Sequence, residues 1–545
     1  MKTRLQIGAT SCKICFDEYA WSFCVTSKDT TTALKPGAIG KPLVRLGNYP
    51  FLALPAFYII VPLKISKHKI MKIFISTLIS LFLIYQASWS QVASTSQKAN
   101  DLLKEYVQLR EVLGVSAGIY KDGKLVWKGG AGHLNPERQK PVNSEMLHRS
   151  ASITKSMTAV AIMQLYEQKK LRLNDPIQKY LPWFPTKKKG VITVKHLLQN
   201  SSGITAYQSR AEARNQKNFP TLRDAINVFK DRELAHKPGT AFRYTTYGYV
   251  VLGAIIESVS GMRYRDYMKK NVWDKAGMSH TDVEIYGKKY ANKPGLYTKN
   301  AKGEFIKDDD TNLSLKIPGG GVQCTAEDLL KFGQAVLDHK LIKASTLDLM
   351  MQDPKLPKSW SPYGMGLFLY SGKDAPSGRV IGHNGSQSGT ATQLFIFLDK
   401  KVVISVMANT GRAWIAVSSL ANELGQLVID APLQSTVESL WKIIRTKGGK
   451  AAEAWLGKSG ASFSEGQINN LGYYFFRRGR IQGAIETFKL YVKMYPKSWN
   501  AYDSLGEAYL KAGNKALAIQ NYRKSIELNP KNTQGIKVLK TLQHK

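Results

Sequence analysis

The sequence has few cysteines and few acidic residues for its length. Four cysteines in 545 residues, with Cys324 the only one after residue 24, exclude a fold held together by disulfides. The nine histidines are scattered without the spacing of metal ligands, so neither a catalytic metal nor another cofactor is expected. Asp and Glu number 40 against 78 Lys and Arg, a formal charge of +38. Such an excess favours anionic surroundings.

The positive charge is spread along the whole chain, which argues against nucleic-acid binding. The sequence has no zinc-finger spacing and no basic zipper, the patterns in which basic residues read DNA. An anionic cell-envelope surface is the more natural polyanionic partner.

Residues 64 to 90 have the pattern of a secretory signal peptide. A basic stretch precedes an apolar run from Ile73 to Tyr85, and small residues follow up to Ser90. The run is about 13 residues long, shorter than the roughly 20 needed to cross a bilayer, which favours cleavage over a membrane anchor. We therefore expect a signal peptide at 71–90 and a mature protein secreted to the bacterial periplasm. The alternative is a protein anchored by the uncleaved segment.

A signal peptide belongs at the start of a chain, yet a long segment precedes Met71. We expect translation to start at Met71 and residues 1–70 to be upstream sequence read in frame. Residues 51 to 63 could instead form the first arm of a membrane hairpin, but the segment is short and contains two prolines.

Two segments with alternating apolar and polar residues predict hairpins at the two ends of one domain. Residues 115 to 131 alternate around an Asp-Gly turn at Asp122, and residues 391 to 408 alternate around a polar turn. The residues between them are mostly helical in pattern. We expect an α/β domain over 91–434, in which an antiparallel sheet built from both ends is sandwiched by helices and flanked by a helical subdomain.

Residue pairs 34 positions apart predict an all-α tail over 466–545. The pairs are Gly472 and Gly506, Ala484 and Ala518, Phe488 and Tyr522, and Pro496 and Pro530. This period and these residue types resemble tetratricopeptide repeats, which bind protein partners. Two repeats are fewer than usually stand alone, so residues 435–465 are expected to form a linker and a degenerate helical cap.

Ser152 and Lys155 form an S-x-x-K pattern at the start of a predicted helix whose residues 157 to 166 are nearly all apolar. Three positions apart on a helix, the two side chains share a face, so the amine reaches the hydroxyl. A lysine at the edge of a core is costly unless it has a function, and burial can lower its pKa enough to make it a base. The pair predicts an activated serine nucleophile.

Two later segments each contain candidate side chains. Tyr244 opens a loop before an apolar helix, and Thr246 follows two positions later. His383, Asn384 and Gly385 lie on a predicted strand beside the C-terminal hairpin. Taken alone, each has an ordinary structural explanation, because a tyrosine before a helix usually packs and a lone histidine is usually a satisfied polar group.

In this order the three segments resemble the active-site motifs of the serine β-lactamase and penicillin-binding protein superfamily. S-x-x-K falls on Ser152 to Lys155, Tyr-x-Asn on Tyr244 to Thr246, and Lys-Thr-Gly or His-x-Gly on His383 to Gly385. Phrases at 196–204 and 318–333 are similar to the class C-type branch, and the mitochondrial serine β-lactamase-like members also have Tyr-x-Thr. The resemblance covers residues 100 to about 430.

The resemblance implies a serine hydrolase that forms an acyl-enzyme at Ser152. Lys155 and Tyr244 would share the proton transfers. The backbone N–H groups of Ser152 and Ser386 would form the oxyanion hole. The substrate-binding residues implied are Ser386, His383, Gly385 and Thr246.

Two departures from the family pattern bear on the substrate. Thr246 stands in place of the usual Asn, and His383 in place of the usual Lys. An unperturbed histidine has a pKa of about 6.5, so we expect His383 to gain its charge, and with it affinity for carboxylates, between about pH 8 and pH 6. Without a fixed cation there, weak or no β-lactam turnover is expected. The expected substrate is a peptide, ester or amide, such as a D-amino-acid peptide.

A different functional class is a catalytically weak interaction protein that uses its repeats as a scaffold. The tail and Thr246 favour it, whereas the presence of Ser152, Lys155 and Tyr244 favours an enzyme.

A second serine motif, G-x-S-x-G around Ser116, is not expected to be catalytic. It leads into a predicted hairpin strand, whereas a nucleophile elbow requires a strand, a sharp turn and then a helix.

Overall fold

The computed structural model describes the backbone of residues 2–7, 10–17 and 20–27, and residues 94–543 with their side chains except 138–139, 301, 358, 360 and 431–436. The chain divides into two units, Met1–Thr77 and Leu78–Lys545. The predicted signal peptide at 71–90 lies outside the described residues, as does segment 51–63. None of the helices described is both long and apolar enough for a membrane span.

The first unit contains an antiparallel three-stranded sheet. Its strands pair in sequence order. They are β1 (Lys2–Ile7), β2 (Thr10–Asp17) and β3 (Ala20–Ser27).

The second unit mixes strands and helices and ends in helices alone. Its strands are β4 (Gly114–Lys121), β5 (Lys124–Gly132), β6 (His148–Arg149), β7 (Asp282–Val283), β8 (Tyr297–Lys299), β9 (Phe305–Lys307), β10 (Val322–Cys324), β11 (Phe368–Ser371), β12 (Val380–Gln387), β13 (Thr390–Phe397) and β14 (Val402–Ala408). Its helices are α1 (94–108), α2 (Thr154–Glu167), α3 (Val194–Leu198), α4 (Arg210–Ala213), α5 (Leu222–Asn227), α6 (Thr246–Ser260), α7 (Tyr264–Met268), α8 (Asp274–Ala276), α9 (Ile317–Gly320), α10 (Ala326–Leu337), α11 (Ala344–Met350), α12 (Trp414–Gln426), α13 (Val437–Ser459), α14 (Glu465–Arg477), α15 (Ile481–Met494), α16 (Trp499–Lys511), α17 (Lys515–Leu528) and α18 (Thr533–Gln543).

Six strands form one antiparallel sheet in the order β11–β12–β13–β14–β4–β5. Both predicted hairpins are confirmed, β4 with β5 and β13 with β14. Asp122 and Gly123 turn the first with φ of 49° and 75°, the left-handed pair that matches the twist of a hairpin. Strand β14 pairs with β4, so the two ends of the domain share a sheet, and the predicted α/β fold class is confirmed.

Helices cover both faces of this sheet. Side chains along a strand alternate between the two faces, so each strand contributes to both cores. On β14, Val403 and Met407 enter a core shared with α2, α6 and α10. Ile404 and Val406 enter the other core, which contains residues of α1 and α12. This is the predicted sandwich, and its strands are apolar on both faces because both are buried.

Helices α2 and α6 form the centre of the helical subdomain. Residues 247–256 of α6 are all buried, as are residues 154–165 of α2, so neither helix has the polar outer face of a surface helix. A Cβ added at Gly253 would lie 2.3 Å from a carbon of Pro318, so glycine lets α6 pass close to the segment that leads into β10. Helix α6 is therefore held close to the backbone around Pro318.

The tail consists of helix pairs with the predicted period. Gly472 on α14 faces Phe488 on α15, and an added Cβ would lie 2.2 Å from the ring. Gly506 on α16 faces Tyr522 on α17 in the same way, at 3.2 Å. Each glycine removes a side chain where a large ring crosses the helix, which is why the pairs recur at one spacing.

The tail packs directly on the α/β domain. Helix α13 is kinked at Gly448, where φ is 78°, and its Trp441 is fully buried. The Trp441 ring centroid lies 6.1 Å from that of Tyr106 on α1 and 6.4 Å from that of Tyr474 on α14. One apolar core therefore continues from the sheet through α12 and α13 into the repeats.

Two glycines of α14 test this packing. Gly472→Ala should lower the free energy of unfolding of the tail by about 1–3 kcal/mol, because the Phe488 ring must move. Gly466→Ala is the matched control, since nothing lies within 4 Å of a Cβ there, and it should raise stability by about 0.5–1 kcal/mol. Amide hydrogen exchange in α14–α17 measures both changes. Equal effects of the two substitutions would contradict the close contact.

Candidate active site

Ser152 lies in a tight turn, Ala151–Ile153, between β6 and α2. Ala151 has a φ of 48°, a left-handed conformation that costs energy for a residue other than glycine. Ser150 anchors the turn, since its hydroxyl donates to the carbonyl oxygen of Val322 and lies 2.9 Å from the hydroxyl of Thr154. The Ser152 hydroxyl is thereby held beside the first turn of α2, where the helix favours negative charge.

Lys155 is the second residue of α2 and has no exposed surface. Its Nζ lies 3.1 Å from Ser152 Oγ, 2.6 Å from the carbonyl oxygen of Gly319 and 3.4 Å from Thr246 Oγ1. The predicted contact between the lysine amine and the serine hydroxyl is thus present. Among the described residues, no carboxylate pairs with this amine.

Burial, together with the charge of Lys316, lowers the pKa of Lys155 to about 7. The cause is desolvation, because a buried ammonium loses its hydration and here gains no counter-charge. At pH 7 about half of the amines are therefore uncharged and able to accept a proton.

Tyr244 and Thr246 complete the surroundings of Lys155. The Lys155 Nζ lies 4.9 Å from the centroid of the Tyr244 ring. Burial raises the pKa of Tyr244 well above its usual range, although a hydrogen bond with Ser152 opposes this effect. Tyr244 therefore keeps its proton near pH 7. Thr246 is the first residue of α6, and its hydroxyl accepts from Lys155.

Strand β12 runs beside the Ser152 turn. A Cβ added at Gly385 would lie 2.4 Å from Thr392 Oγ1 and 2.7 Å from the carbonyl oxygen of Ser150, so only glycine allows this approach. Ser386 follows Gly385, is exposed, and pairs with Ala391 of β13. Gly385 thus places Ser386 at the edge of the sheet next to the Ser152 turn.

The prediction that His383 becomes charged between pH 8 and pH 6 is wrong. Its side chain has no exposed surface, and Nδ1 donates to the carbonyl oxygen of Asn384 at 2.5 Å while Nε2 faces the Tyr363 hydroxyl at 3.4 Å. Burial, with the charge of Lys155, lowers the pKa of His383 to about 3. The histidine therefore stays neutral between pH 8 and pH 6 and does not present a charge to a substrate.

Gly319 and Tyr363 are site residues that the sequence motifs do not identify. The carbonyl oxygen of Gly319 accepts the shortest hydrogen bond of Lys155, and the run of glycines after Pro318 is a signal for such a close backbone approach. Tyr363 is buried between His383 and Tyr249, whose hydroxyl lies 3.3 Å from its own. No local pattern marks Tyr363, because it reaches the site from a distant loop.

Ser116 of the G-x-S-x-G pattern is structural, as predicted. It lies on β4, is fully buried, and donates to the carbonyl oxygen of Asn143 at 2.7 Å. No helix follows it, so it lacks the geometry of a nucleophile elbow.

The sheet, the flanking helices and a serine–lysine pair at the start of a buried helix define the class of β-lactamases and penicillin-binding proteins. The beta-lactamase family profile matches residues 99–416, more than half of the chain, and the protein belongs to that family. Tetratricopeptide-repeat profiles match residues 470–498 and 499–532. Both predicted resemblances are confirmed.

Two curated relatives illustrate the range of the family. The mitochondrial serine beta-lactamase-like protein LACTB of Homo sapiens is 30% identical over 312 residues, or 45% of this chain and 57% of the human protein. The putative penicillin-binding protein PbpX of Bacillus subtilis (strain 168) is 30% identical over 293 residues, or 53% of this chain and 69% of that protein. The chain thus spans little more than half the length of its mitochondrial relative.

Solved structures have the same fold. The octameric penicillin-binding protein homologue from Pyrococcus abyssi matches with a TM-score of 0.55 and 29% identity, over 64% of this chain and 81% of that one. The D-amino acid amidase from Ochrobactrum anthropi SV3 matches with a TM-score of 0.55 and 20% identity, over 62% and 98%.

The buried, neutral state of His383 can be measured by NMR. The Cε1–H resonance of this imidazole, assigned by its loss in His383→Gln, should not shift between about pH 8 and pH 5, since its pKa is about 3. A shift centred near the ordinary histidine pKa of about 6.5 would show that the side chain is hydrated and would contradict its burial.

Proposed function

We propose that the protein is a serine hydrolase that forms an acyl-enzyme at Ser152 and acts on a peptide, ester or amide. The observation that carries this proposal is the buried Lys155 amine, 3.1 Å from Ser152 Oγ and with a pKa of about 7. Such an amine is a base near neutral pH, which a surface lysine is not. The signal-peptide pattern at 71–90 supports secretion to the periplasm.

Acylation in this proposal begins with transfer of the Ser152 hydroxyl proton to the uncharged Lys155. The serine oxygen attacks the substrate carbonyl carbon, and the N–H groups of Ser152 and Ser386 receive the resulting oxyanion. As the bond to the leaving group breaks, Tyr244 donates its proton to that group and regains one from Lys155. In deacylation, water takes the place of the leaving group: it gives a proton to Tyr244 and attacks the acyl carbon. The bond to Ser152 then breaks, the serine oxygen regains a proton from Lys155, and the acid is released.

The neutral His383 shapes the substrate class in this proposal. A β-lactam or a peptide ending in D-alanine presents a carboxylate, and His383 supplies no cation for it near pH 7 because its pKa is about 3. We expect weak or no β-lactam turnover for this reason. An ester or amide without a carboxylate at that position does not need a cation there, so the neutral His383 does not weaken its binding.

The tetratricopeptide tail supports a protein partner as a second part of the proposal. The rival function, a scaffold with weak catalysis, has Thr246 in its favour, because a hydroxyl replaces the usual amide donor. The two differ in turnover. A scaffold gives no hydrolysis of activated esters above that of Lys155→Ala.

A covalent probe tests the nucleophile. A fluorophosphonate should label the protein at Ser152, and Ser152→Ala should abolish labelling, because Ser152 is the one serine in the described part of the chain that contacts the Lys155 amine. Ser116→Ala is the matched control and should retain labelling, because Ser116 is fully buried on β4. Labelling that persists in Ser152→Ala would contradict the assignment of Ser152 as the nucleophile.

The pH dependence of labelling tests the base. Since the neutral amine is the reactive form and the pKa of Lys155 is about 7, the labelling rate should rise with pH around a midpoint near 7 and fall below it. Lys155→Arg should lose the rise and about 100-fold or more of the rate, because an arginine keeps its proton. The charge of Lys316 contributes to the low pKa, so Lys316→Met should move the midpoint upward. A wild-type rate that rises only near pH 10 would contradict the proposal.

A further inference from the structure

A cavity of about 630 Å³ lies where the tail meets the α/β domain. Its lining is cationic, and no acidic side chain contributes to it among the described residues. The residues that line it are Thr298, Lys299, Ser386, Gly411, Arg412, Trp414, Asn470, Tyr474, Arg477 and Arg478. Both parts of the second unit contribute cations, Lys299 and Arg412 from the α/β domain, Arg477 and Arg478 from α14 and the residue after it.

Lys299 is one of two buried cations in this cavity, the other being Arg478. It ends strand β8 with only 8% of its surface exposed, and within the described part of the chain its Nζ makes no hydrogen bond or ion pair. The Phe305 ring lies 5.2 Å from Nζ. Burial, with the charge of Arg478 next in weight, lowers the pKa of Lys299 to about 7. The charge of Glu111 opposes this lowering, but that carboxylate pairs with Arg478 and Arg480. An anion in the cavity would stabilise the charged form of Lys299.

The nearest acidic groups are already paired. Glu111 is fully buried and pairs with Arg480 at 2.5 Å and with Arg478 at 3.8 Å. Asp308 pairs with Arg214 at 2.8 Å. The cations of the cavity therefore outnumber the carboxylates available to them.

Arg412 is held in an unusual backbone conformation at the mouth of the cavity. Its φ is 60°, left-handed for a residue that is not glycine, and its side chain is exposed. Its carbonyl oxygen accepts from Nη1 of Arg478 at 3.3 Å, so the tail fixes this conformation. Strain of this kind persists where the surrounding structure requires it, often at binding sites.

The cavity adjoins the candidate active site through β12. Ser386 lines it and directly follows Gly385, which packs against the turn that holds Ser152. Gly411, another lining residue, approaches the carbonyl oxygen of Gln387, at 3.4 Å from its added Cβ. At about 3.3 Å per residue, the Ser386 end of β12 lies roughly 10 Å from His383.

We propose that this cavity binds an anionic group, a carboxylate or a phosphate, carried by the substrate at the end of β12 opposite His383. The proposal rests on the proposed acyl-enzyme function, since it places the anion on the molecule that acylates Ser152. Guanidinium groups bind both anions through paired N–H donors, and Lys299 adds a point charge. The tetratricopeptide tail then completes the substrate site as well as offering a surface for partners.

Three p-nitrophenyl esters with acyl chains of similar length test the proposal. They are the pentanoate, which is neutral, the hemiglutarate, which ends in a carboxylate, and the 4-phosphonobutyrate. The ratio of kcat/KM for an anionic ester to that for the neutral ester should be about tenfold in the wild type, as one ion pair gives. The anion with the higher ratio identifies the group for which the cavity is shaped.

Variants of the cavity assign the preference to its cations. Lys299→Met and Arg412→Gln should each lower that ratio about threefold, and raised salt should lower it in the wild type. Lys450→Gln removes one exposed cation of α13 outside the cavity lining and should leave the ratio unchanged. Calorimetry with glutarate and with inorganic phosphate should show binding to wild type that is lost in the Lys299→Met/Arg412→Gln double variant.

The outcomes separate this proposal from the function on which it rests. Turnover of the neutral ester with a ratio near one, or with a ratio unaffected by both cavity variants, would overturn the anion site and leave the acyl-enzyme intact. Absence of fluorophosphonate labelling and of turnover for all three esters would overturn the proposed function instead. In that case calorimetry alone decides whether the cavity binds the anion.

Discussion

The uncompensated burial of the Lys155 amine is the constraint on which the candidate site depends. An ammonium group in a core is unstable unless it loses its proton or gains a partner. Here its contacts are hydroxyls, aromatic rings and the carbonyl oxygen of Gly319, 2.6 Å away, none of which carries a negative charge. The outcome is a pKa of about 7 beside a serine hydroxyl.

The apolar character of α2 and α6 follows from this constraint. Both helices must be surrounded by protein for Lys155 to be dehydrated, and both are buried along most of their length. Close backbone approaches then bring Gly319 against the start of α6 and Gly385 of β12 against the Ser152 turn. The same packing therefore forms the core and dehydrates the Lys155 amine.

Local patterns in the sequence predict the parts of this structure that depend on neighbouring residues. Alternating residues around an Asp-Gly turn predict the first hairpin, and the 34-residue period predicts the helix pairs of the tail. The S-x-x-K spacing predicts that Lys155 lies on the same helix face as Ser152. The charge predicted for His383 is wrong because the side chain is buried against Tyr363 and Phe368, which come from other parts of the chain. Burial by distant residues leaves no trace in a local motif.

The docking of the tail also depends on contacts between residues that are far apart in the chain. No spacing predicts that α13 and α14 continue the apolar core of the sheet, or that Arg478 holds the backbone of Arg412. The cationic cavity exists only because these two parts of the chain meet. The tail thus forms part of the surface beside β12.

The protonation state of Lys155 is the most direct test of this account. In protein labelled with 15N-lysine, the Nζ chemical shift of Lys155, assigned by its loss in Lys155→Met, reports the charge of the amine as pH changes. The account predicts a transition near pH 7, far below that of the surface lysines. A Lys155 amine that stays charged up to about pH 10, the ordinary range of lysine, would contradict it.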